Sequence, residues 1–479
     1  MSGEFFWGLC LAAAQIAAVG RAILVDGKDP SSRAAWVLAL LLLPGLGIAA
    51  YLLVGEPWLE RRVRRRSLQV AQALRGQLRA AWPPVIAGAP ALPAGFRPVF
   101  RRCEAIAAVP AVGGNRATVL ADADAAIDAM VRDIDAAWHS VHISFYIWLA
   151  DNNGLRLMQA VRAAARRGVA CRVIADGLGS RSLIRSRHWR DMARDGVQLC
   201  AALKVDRGLL FFLGNRADLR NHRKIVVIDD RIAYGGSQNA ADPEFRIKRR
   251  FAPWVDIMLR FQGPVVLQNQ LLFTASWMAE TEEELALPPA APAPLEGGFP
   301  AIAFGTGPLA VRGAMSDVFV GLLCGAEREV VITTPYFVPD PPVLAALIAC
   351  ARRGVATSLI LPARNDSWAV GAIGKAHYPD LLDAGVRVFE FQGGLLHAKT
   401  LVADAEVALV GSANMDRRSM ELNLENNTLL GPGDIVTQVR ARQEVYRAAS
   451  IEVTRKALRG RGLPRRLWDN ALTMFSPLL

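Results

Sequence analysis

Six positions recur at one constant separation of 175 residues in this 479-residue chain. His222, Lys224, Asp229, Gly236, Ser237 and Asn239 stand in "NHRKIVVIDDRIAYGGSQN", and His397, Lys399, Asp404, Gly411, Ser412 and Asn414 stand in "LHAKTLVADAEVALVGSAN". A lone His-x-Lys pair is a weak signal, whereas six matched positions at a single offset are a strong one. Residues two apart on extended chain project from one face, so each His shares its side with a Lys. A hydroxyl and an amide brought beside them complete a cradle for an anion. The Lys supplies fixed positive charge, Ser and Asn donate to non-bridging phosphoryl oxygens, and the His serves as nucleophile or general acid. A metal centre would need His and carboxylate ligands converging on one point, and the neighbouring Lys would repel a cation.

Two copies make sense as two halves of one site. If the units face each other, their imidazoles meet across a single phosphodiester. One attacks phosphorus while the other protonates the departing alcohol, a pair held in line in opposite protonation states. Asp229 and Asp404 stand at odd separation from their His and on a regular strand face away, which suits a turn or hydrogen-bonding role in "DDR" and "DAE".

The elements that position these motifs are also repeated. "VHISFYIWL" at 141–149 reads as a buried strand, "GLRLMQAVRAAARRGV" at 154–169 as a helix, and "CRVIADG" as the next strand. The same order returns as "VVITTPYFV" at 330–338, "VLAALIACARRGV" at 343–355 and "TSLILPA" at 357–363, with "ARRGVA" closing both helices. "LPPAAPAPLEGGFP" at 287–300 punctuates the halves. The expected fold class is α/β, with two tandem units of mixed sheet forming one shared active site.

Ahead of the repeat, residues 34–55 run for 22 positions without a charge, about 33 Å as a helix and enough to cross a bilayer core. Pro44 and Gly45 predict a kink. Residues 5–25 form a weaker apolar stretch interrupted by Arg21, and residues 1–4 hold no Lys or Arg of a signal peptide. The expectation is two transmembrane helices. Arg61, Arg62, Arg64, Arg65 and Arg66 follow at once, which argues that this side is cytoplasmic and binds anionic lipid. The net charge of +12, the 52% hydrophobic content and a mean hydropathy of +0.22 fit such a partner. The six cysteines show no paired spacing, which argues against a disulfide framework or a zinc site. The expected organisation is residues 1–66 for the two membrane helices and Arg cluster, then a linker at 67–110. A first α/β unit at 111–286 follows, then a Pro/Gly-rich linker at 287–306 and a second unit at 307–479. The second unit ends in an interfacial helix, "RRLWDNALTMFSPLL".

HxKxxxxD twice, each followed by GSxN, resembles the signature of the phospholipase D superfamily. With "AWVLALLLLPGLGIAAYLLVGE", "PYFVPD" and "LLHAKTLVADAEVALVGSANMDRRSMELNLE", the chain is more similar still to the bacterial cardiolipin synthases, nearly end to end. The resemblance implies an enzyme of the bacterial inner membrane that joins two phosphatidylglycerol molecules into cardiolipin and glycerol, without a metal or other cofactor. It also implies a catalytic set of His222, Lys224, Asp229, His397, Lys399 and Asp404, with Ser237, Asn239, Ser412 and Asn414 on the substrate. By motif position His222 is the nucleophile and His397 the general acid/base, although the residues themselves also fit the reverse. Asp256 in "WVDI" and Glu425 in "NLENN" resemble the carboxylates that orient the imidazoles. "GGSQN" departs from the residue that often precedes the Asn in the family, with little expected consequence. His139, His142 and His188 read as structural. His377 lies near the site mouth without an assigned role, and "FRIKRR" at 245–250 is a solvated face or a headgroup contact. Three alternatives remain: a hydrolysing phospholipase D, a synthase using phosphatidylethanolamine as co-substrate, and a nuclease. The apolar spans and the Arg cluster argue against nucleic acid as a partner.

Overall fold

The computed structural model describes residues 3–26, 30–55, 61–81, 90–204, 219–281, 283–288, 290–308, 311–459, 467–468 and 471–473. The first half contributes β1 (Val112–Val119), β2 (Ser140–Phe145), β3 (Ala170–Asp176), β4 (Gln198–Ala202), β5 (Ile225–Ile228), β6 (Ile232–Gly236), β7 (Trp254–Val255) and β8 (Met258–Gln262). The second contributes β9 (Phe299–Thr306), β10 (Glu329–Thr333), β11 (Phe337–Val338), β12 (Ala356–Pro362), β13 (Arg387–Phe391), β14 (Leu395–Leu396), β15 (Thr400–Ala403), β16 (Val407–Gly411), β17 (Met415–Asp416), β18 (Glu425–Leu430) and β19 (Ser450–Glu452). Within each half three strands run parallel, β2-β3-β4 and β10-β12-β13, because helices cross between them. Asp151 caps the first of these helices by accepting from Gly154 N at 3.0 Å, and Asp340 caps its counterpart by accepting from Val343 N at 3.1 Å. The β5–β6 and β15–β16 hairpins add antiparallel strands, so each half is a mixed sheet, as expected.

The two halves share one sheet of fifteen strands, ordered β19-β13-β12-β10-β15-β16-β18-β9-β1-β8-β6-β5-β2-β3-β4. The order reads alike outward from the β9–β1 seam, so the repeat becomes an approximate two-fold arrangement. Asn115 is buried at a break in that seam, where register shifts between Val112 and Asn115. Its amide donates to Val112 O at 2.7 Å and Phe299 O at 3.0 Å, and its carbonyl accepts from Val265 N at 2.8 Å. One side chain thus satisfies backbone groups that an irregular ladder leaves open.

Two stretches expected as linkers are largely built into the core. Phe299–Thr306, inside the expected 287–306 linker, is the central strand β9, nearly all of it buried. Its Pro-rich approach hid an apolar run covered on both faces. Inside the expected 67–110 linker, the helix Arg61–Ala81 packs Val70 and Leu74 against Leu267, Leu271 and Met278 of the helix Val265–Thr281. Each such burial is worth about 1.5–3 kcal/mol. The helix Arg97–Ala107 sends Val99, Phe100 and Cys103 into the core of the second half, beside Ile302, Phe304 and Leu322. The chain therefore braces the second half before it enters the first.

At the N-terminus the helix Gly3–Leu24 is, among the described residues, the one helix long and apolar enough to cross a membrane. The expected second span is broken rather than continuous. Helix Pro30–Leu42 stops at Pro44 and Gly45, the latter with φ 80°, and resumes as Leu46–Ala50 and a wider turn at Tyr51–Gly55. Proline removes a donor and glycine takes a positive φ that other residues avoid, so the ladder is interrupted there. The pieces still pack as a hairpin around Ala22, Trp36, Leu40 and Tyr51, and Gln15 donates to Leu40 O at 2.8 Å. The described residues of the basic segment at 61–66 are helical, and the expected C-terminal interfacial helix falls mostly outside the described residues. Four cysteines, Cys103, Cys171, Cys200 and Cys350, are buried in the cores.

Candidate active site

His222 and Lys224 lie on extended chain just ahead of β5, and His397 and Lys399 lie in the same position ahead of β15. Each stretch is docked onto the opposite half. His222 N donates to Leu424 O at 2.9 Å, and Leu424 N returns a bond to Arg220 O at 3.0 Å. His397 N donates to Val255 O at 2.7 Å, while β14 pairs in parallel with β7. These cross-pairings set each imidazole beside a carboxylate from the other half. His222 Nδ1 is 2.8 Å from Glu425 Oε2, and His397 Nδ1 is 2.6 Å from Asp256 Oδ1. Asp256 and Glu425 thus each lie against an imidazole, with partners exchanged between the units.

Both carboxylates are fixed by further donors. Glu425, with no exposure, accepts from Ser412 Oγ, from Ser419 Oγ at 2.8 Å and from Asn423 Nδ2 at 3.3 Å. Asp256 accepts from Ser237 Oγ at 2.6 Å. Ser237 and Ser412, expected on the substrate, are fully buried and hold these carboxylates instead. Each also accepts a backbone bond, from Ile257 N at 3.0 Å and Asn426 N at 2.9 Å respectively. The glycine before each serine is required by close approach. A Cβ on Gly236 would lie 2.2 Å from Ile257 O, and one on Gly411 2.3 Å from Asn427 Oδ1.

The motif aspartates do not reach the cleft, although the signature counts them with the catalytic set. Asp229 accepts from the backbone N–H groups of Trp138, His139 and Ser140 at 3.1, 2.8 and 2.8 Å. Asp404 does the same for Glu327, Arg328 and Glu329 at 2.8, 2.7 and 2.9 Å. Each begins a tight turn with positive φ, at 51° and 54°, and ties the hairpin to the strand beside it. Their odd separation from the His is the physical reason.

His222, His397, Asn239 and Asn414 line one cleft of about 520 Å³ between the halves. Asn239 Oδ1 accepts from Ile147 N at 3.1 Å, which leaves its amide N–H groups as donors. Asn414 Oδ1 is buried with no hydrogen-bond partner among the described residues. Lys224 and Lys399 lie behind, each Nζ donating to the carbonyl of its own motif's His at 2.6 Å. The Lys224 ammonium also sits 5.5 Å from the ring centre of Tyr146, whose ring meets His222 edge-on at 5.0 Å. Trp254 packs against His397 at 4.6 Å. Tyr146 and Tyr336 were not anticipated, yet "SFYIW" and "TPYFV" place a tyrosine at the end of corresponding strands, a signal the repeat carried.

Burial dominates the electrostatics. It pushes His222 down to about 4, against the opposing pull of Glu425, and lowers His397 despite Asp256. Burial alone would raise Glu425 and Asp256, but the facing imidazoles and lysines hold both below the usual carboxylate range. These opposed shifts favour neutral imidazole on ionised carboxylate in each pair, the form in which Nδ1–H donates to the carboxylate. Desolvation lowers Lys224 to about 7 and Lys399 to about 8. An anion entering this site restores positive charge to groups that burial has weakened.

The remaining histidines lie outside the site. His142 is buried, its Nδ1 2.9 Å from Gln270 Oε1 and its ring stacked on Phe273, and desolvation lowers it to about 4. His377 packs edge-on to Phe337 and is not among the cleft residues.

Residues 130–250 and 320–444 match a family model described as cardiolipin synthase, PLD-like domain, and residues 13–56 match the phospholipase D-nuclease N-terminal family. Cardiolipin synthase A of Shigella boydii serotype 4 is 34% identical, covering 97% of this chain and 96% of that protein, and cardiolipin synthase A of Salmonella gallinarum matches equally. The fold is similar to that of phosphatidylserine synthase from Haemophilus influenzae, with TM-score 0.57 at 14% identity, over 78% of this chain and 99% of that one.

Proposed function

From the chain's membership of the cardiolipin synthase family of phospholipase D-like proteins, we propose that it condenses two phosphatidylglycerol molecules into cardiolipin and glycerol. The observation that carries the mechanism is the reciprocal pair of His–carboxylate contacts in one cleft, His222 with Glu425 and His397 with Asp256. His222 Nε2 attacks phosphorus of the first lipid, and the bond to its headgroup glycerol breaks. His397 gives a proton to the departing oxygen. The second lipid's hydroxyl then enters, His397 takes its proton, and its oxygen displaces His222 from phosphorus. His397 must be protonated for the first step, and the bound phosphodiester supplies the charge that counters its burial. Lys224, Lys399, Asn239 and Asn414 bind the non-bridging oxygens.

The substrate's chemistry suits the surroundings. Leu178 and Ile247 are exposed among the residues that line the same cleft, and Ile247 adjoins Lys248, as expected for molecules with acyl chains and anionic headgroups. We place both N-terminal apolar segments in the bilayer. The basic run Arg61–Arg66 then sets the catalytic part on the cytoplasmic side.

The test uses the full-length protein in mixed micelles of detergent and phosphatidylglycerol. Cardiolipin and free glycerol appear in equal amounts without CDP-activated lipid, and His222→Ala or His397→Ala abolishes both. Phosphatidic acid as the sole lipid product would overturn the transfer reading in favour of hydrolysis.

A further inference from the structure

The two ends of the cleft are built alike but are not equivalent. At the His222 end, Tyr146 lies near Arg220, and Arg220 is backed by Asp176 at 3.4 Å. At the His397 end, Tyr336 lies near Lys248, and Lys248 is paired with Asp366. The difference is in what holds each carboxylate. Asp176 is committed to the backbone, accepting from Leu178 N and Gly179 N at 2.9 Å and from Asn221 N at 3.0 Å. Asp366 accepts from two side chains, the Tyr336 hydroxyl at 2.8 Å and the Lys248 ammonium, and among the described residues no backbone N–H donates to it. Side-chain partners swing aside for a ligand, whereas backbone partners do not. Lys248 is 44% exposed, and the Asp366 side chain only 1%.

Asp366 and Lys248 also come from different halves and meet at the end of the cleft that His397 occupies. Trp254 packs on His397, Phe245 stacks on Trp254 at 4.0 Å, and Lys248 N donates to Phe245 O at 2.8 Å. Asp366 is near enough to Lys399 to act on its charge. In an in-line displacement the leaving alcohol and the incoming alcohol use the same side of phosphorus, opposite the nucleophile. The acceptor differs from water in two ways: it carries hydroxyl groups on a glycerol, and it carries a second phosphate that does not react.

We propose that Asp366, Lys248 and Tyr336 form an acceptor-headgroup subsite, Asp366 accepting hydrogen bonds from the glycerol hydroxyls and Lys248 pairing with the acceptor lipid's own phosphate. This rests on the phosphatidyl-transfer reading, and it fixes His397 as the group that serves the alcohols and His222 as the nucleophile. Water satisfies neither contact, so the subsite decides the partition between transfer and hydrolysis.

The test measures, for the full-length enzyme in micelles of phosphatidylglycerol, the ratio of cardiolipin to phosphatidic acid. It also measures the ratio of labelled free glycerol exchanged into phosphatidylglycerol to phosphatidic acid formed. Both are internal ratios, so partial misfolding of a variant does not move them. Asp366→Asn lowers both ratios about tenfold or more, because a hydrogen bond to a charged group is lost from either acceptor. Lys248→Met lowers the cardiolipin ratio at least fivefold and leaves the glycerol-exchange ratio within twofold of wild type, since free glycerol carries no phosphate. Unchanged ratios in either variant, or an equal fall of both ratios in Lys248→Met, overturn the subsite. A wild-type enzyme that makes no cardiolipin overturns the transfer reading instead.

Discussion

Replacing Glu425 by glutamine keeps the size of the side chain and removes its charge. Four donors converge on that carboxylate: His222 Nδ1 at 2.8 Å, Ser412 Oγ, Ser419 Oγ at 2.8 Å and Asn423 Nδ2 at 3.3 Å. An amide offers one acceptor oxygen and two donors, so at least one existing donor then faces an N–H. His222 loses the anion that fixes its tautomer and turns Nε2 toward phosphorus. Contacts to a charged group are worth about 1.5–3 kcal/mol each, and losing the equivalent of two raises the barrier by about 3–6 kcal/mol. At about 1.36 kcal/mol per tenfold, the chemical step slows about 10²- to 10⁴-fold. The assay is a burst experiment with a phosphatidyl ester of p-nitrophenol, whose leaving group departs without a general acid. Glu425→Gln suppresses the burst, because the nucleophile is misaligned. Asp256→Asn keeps the burst and slows the later transfer to alcohol, because only the acid/base partner is affected. A burst at the wild-type rate in Glu425→Gln would refute both the exchanged pairing and the assignment of His222.

Three further outcomes follow from the same contacts. The value of kcat/KM falls as pH rises, first as His397, lowered by burial, loses the proton it gives to the leaving alcohol, and more steeply through about 7 to 8, where Lys224 and Lys399 lose charge in the free enzyme; Glu425→Gln moves the steeper limb to lower pH, because Glu425 raises both lysines, and a pH profile measures this directly. Ser412→Ala lowers kcat about three- to tenfold with KM for lipid unchanged, since its hydroxyl holds Glu425 and not phosphate; initial rates against lipid fraction distinguish the two. Asn115→Ala costs about 2–5 kcal/mol, read as a lowered midpoint of thermal unfolding, because it strands three buried backbone partners, and Asp404→Ala costs less, about 1–3 kcal/mol, because its three backbone partners are only partly buried; activity per folded molecule stays within a few-fold in both.

The parts of the site visible in the sequence are those whose meaning is carried by residue type and short spacing. His222, Lys224 and Asn239, with their repeats, required only a strand and a hairpin, and the hairpin register placed Asn239 and Asn414 back at the cleft. The turn role of Asp229 and Asp404 was legible for the same reason, an odd separation from the His. What misled was a competing demand on the same side chain. A serine after glycine reads equally well as a phosphate donor or as a carboxylate clamp, and the buried acceptor facing it decided which. The linkers misread for a related reason: Pro-rich composition marks where chain punctuation lies, but Phe299–Thr306 is a strand because apolar surface on both faces needed covering.

By itself the sequence determined the chemistry: two imidazoles, two ammonium groups and two amides arranged in equal sets, with an apolar, basic entry suited to lipid. Only the tertiary structure decided how the sets combine. Glu425 serves His222 across 203 residues and Asp256 serves His397 across 141, and no local periodicity encodes either contact. They exist because the β1–β9 seam joins the two halves into one sheet, and because Leu424 and Val255 capture the backbone of the opposite motif. That seam is held by a continuous apolar core and by the amide of Asn115 bridging its break, which act only once the halves have met.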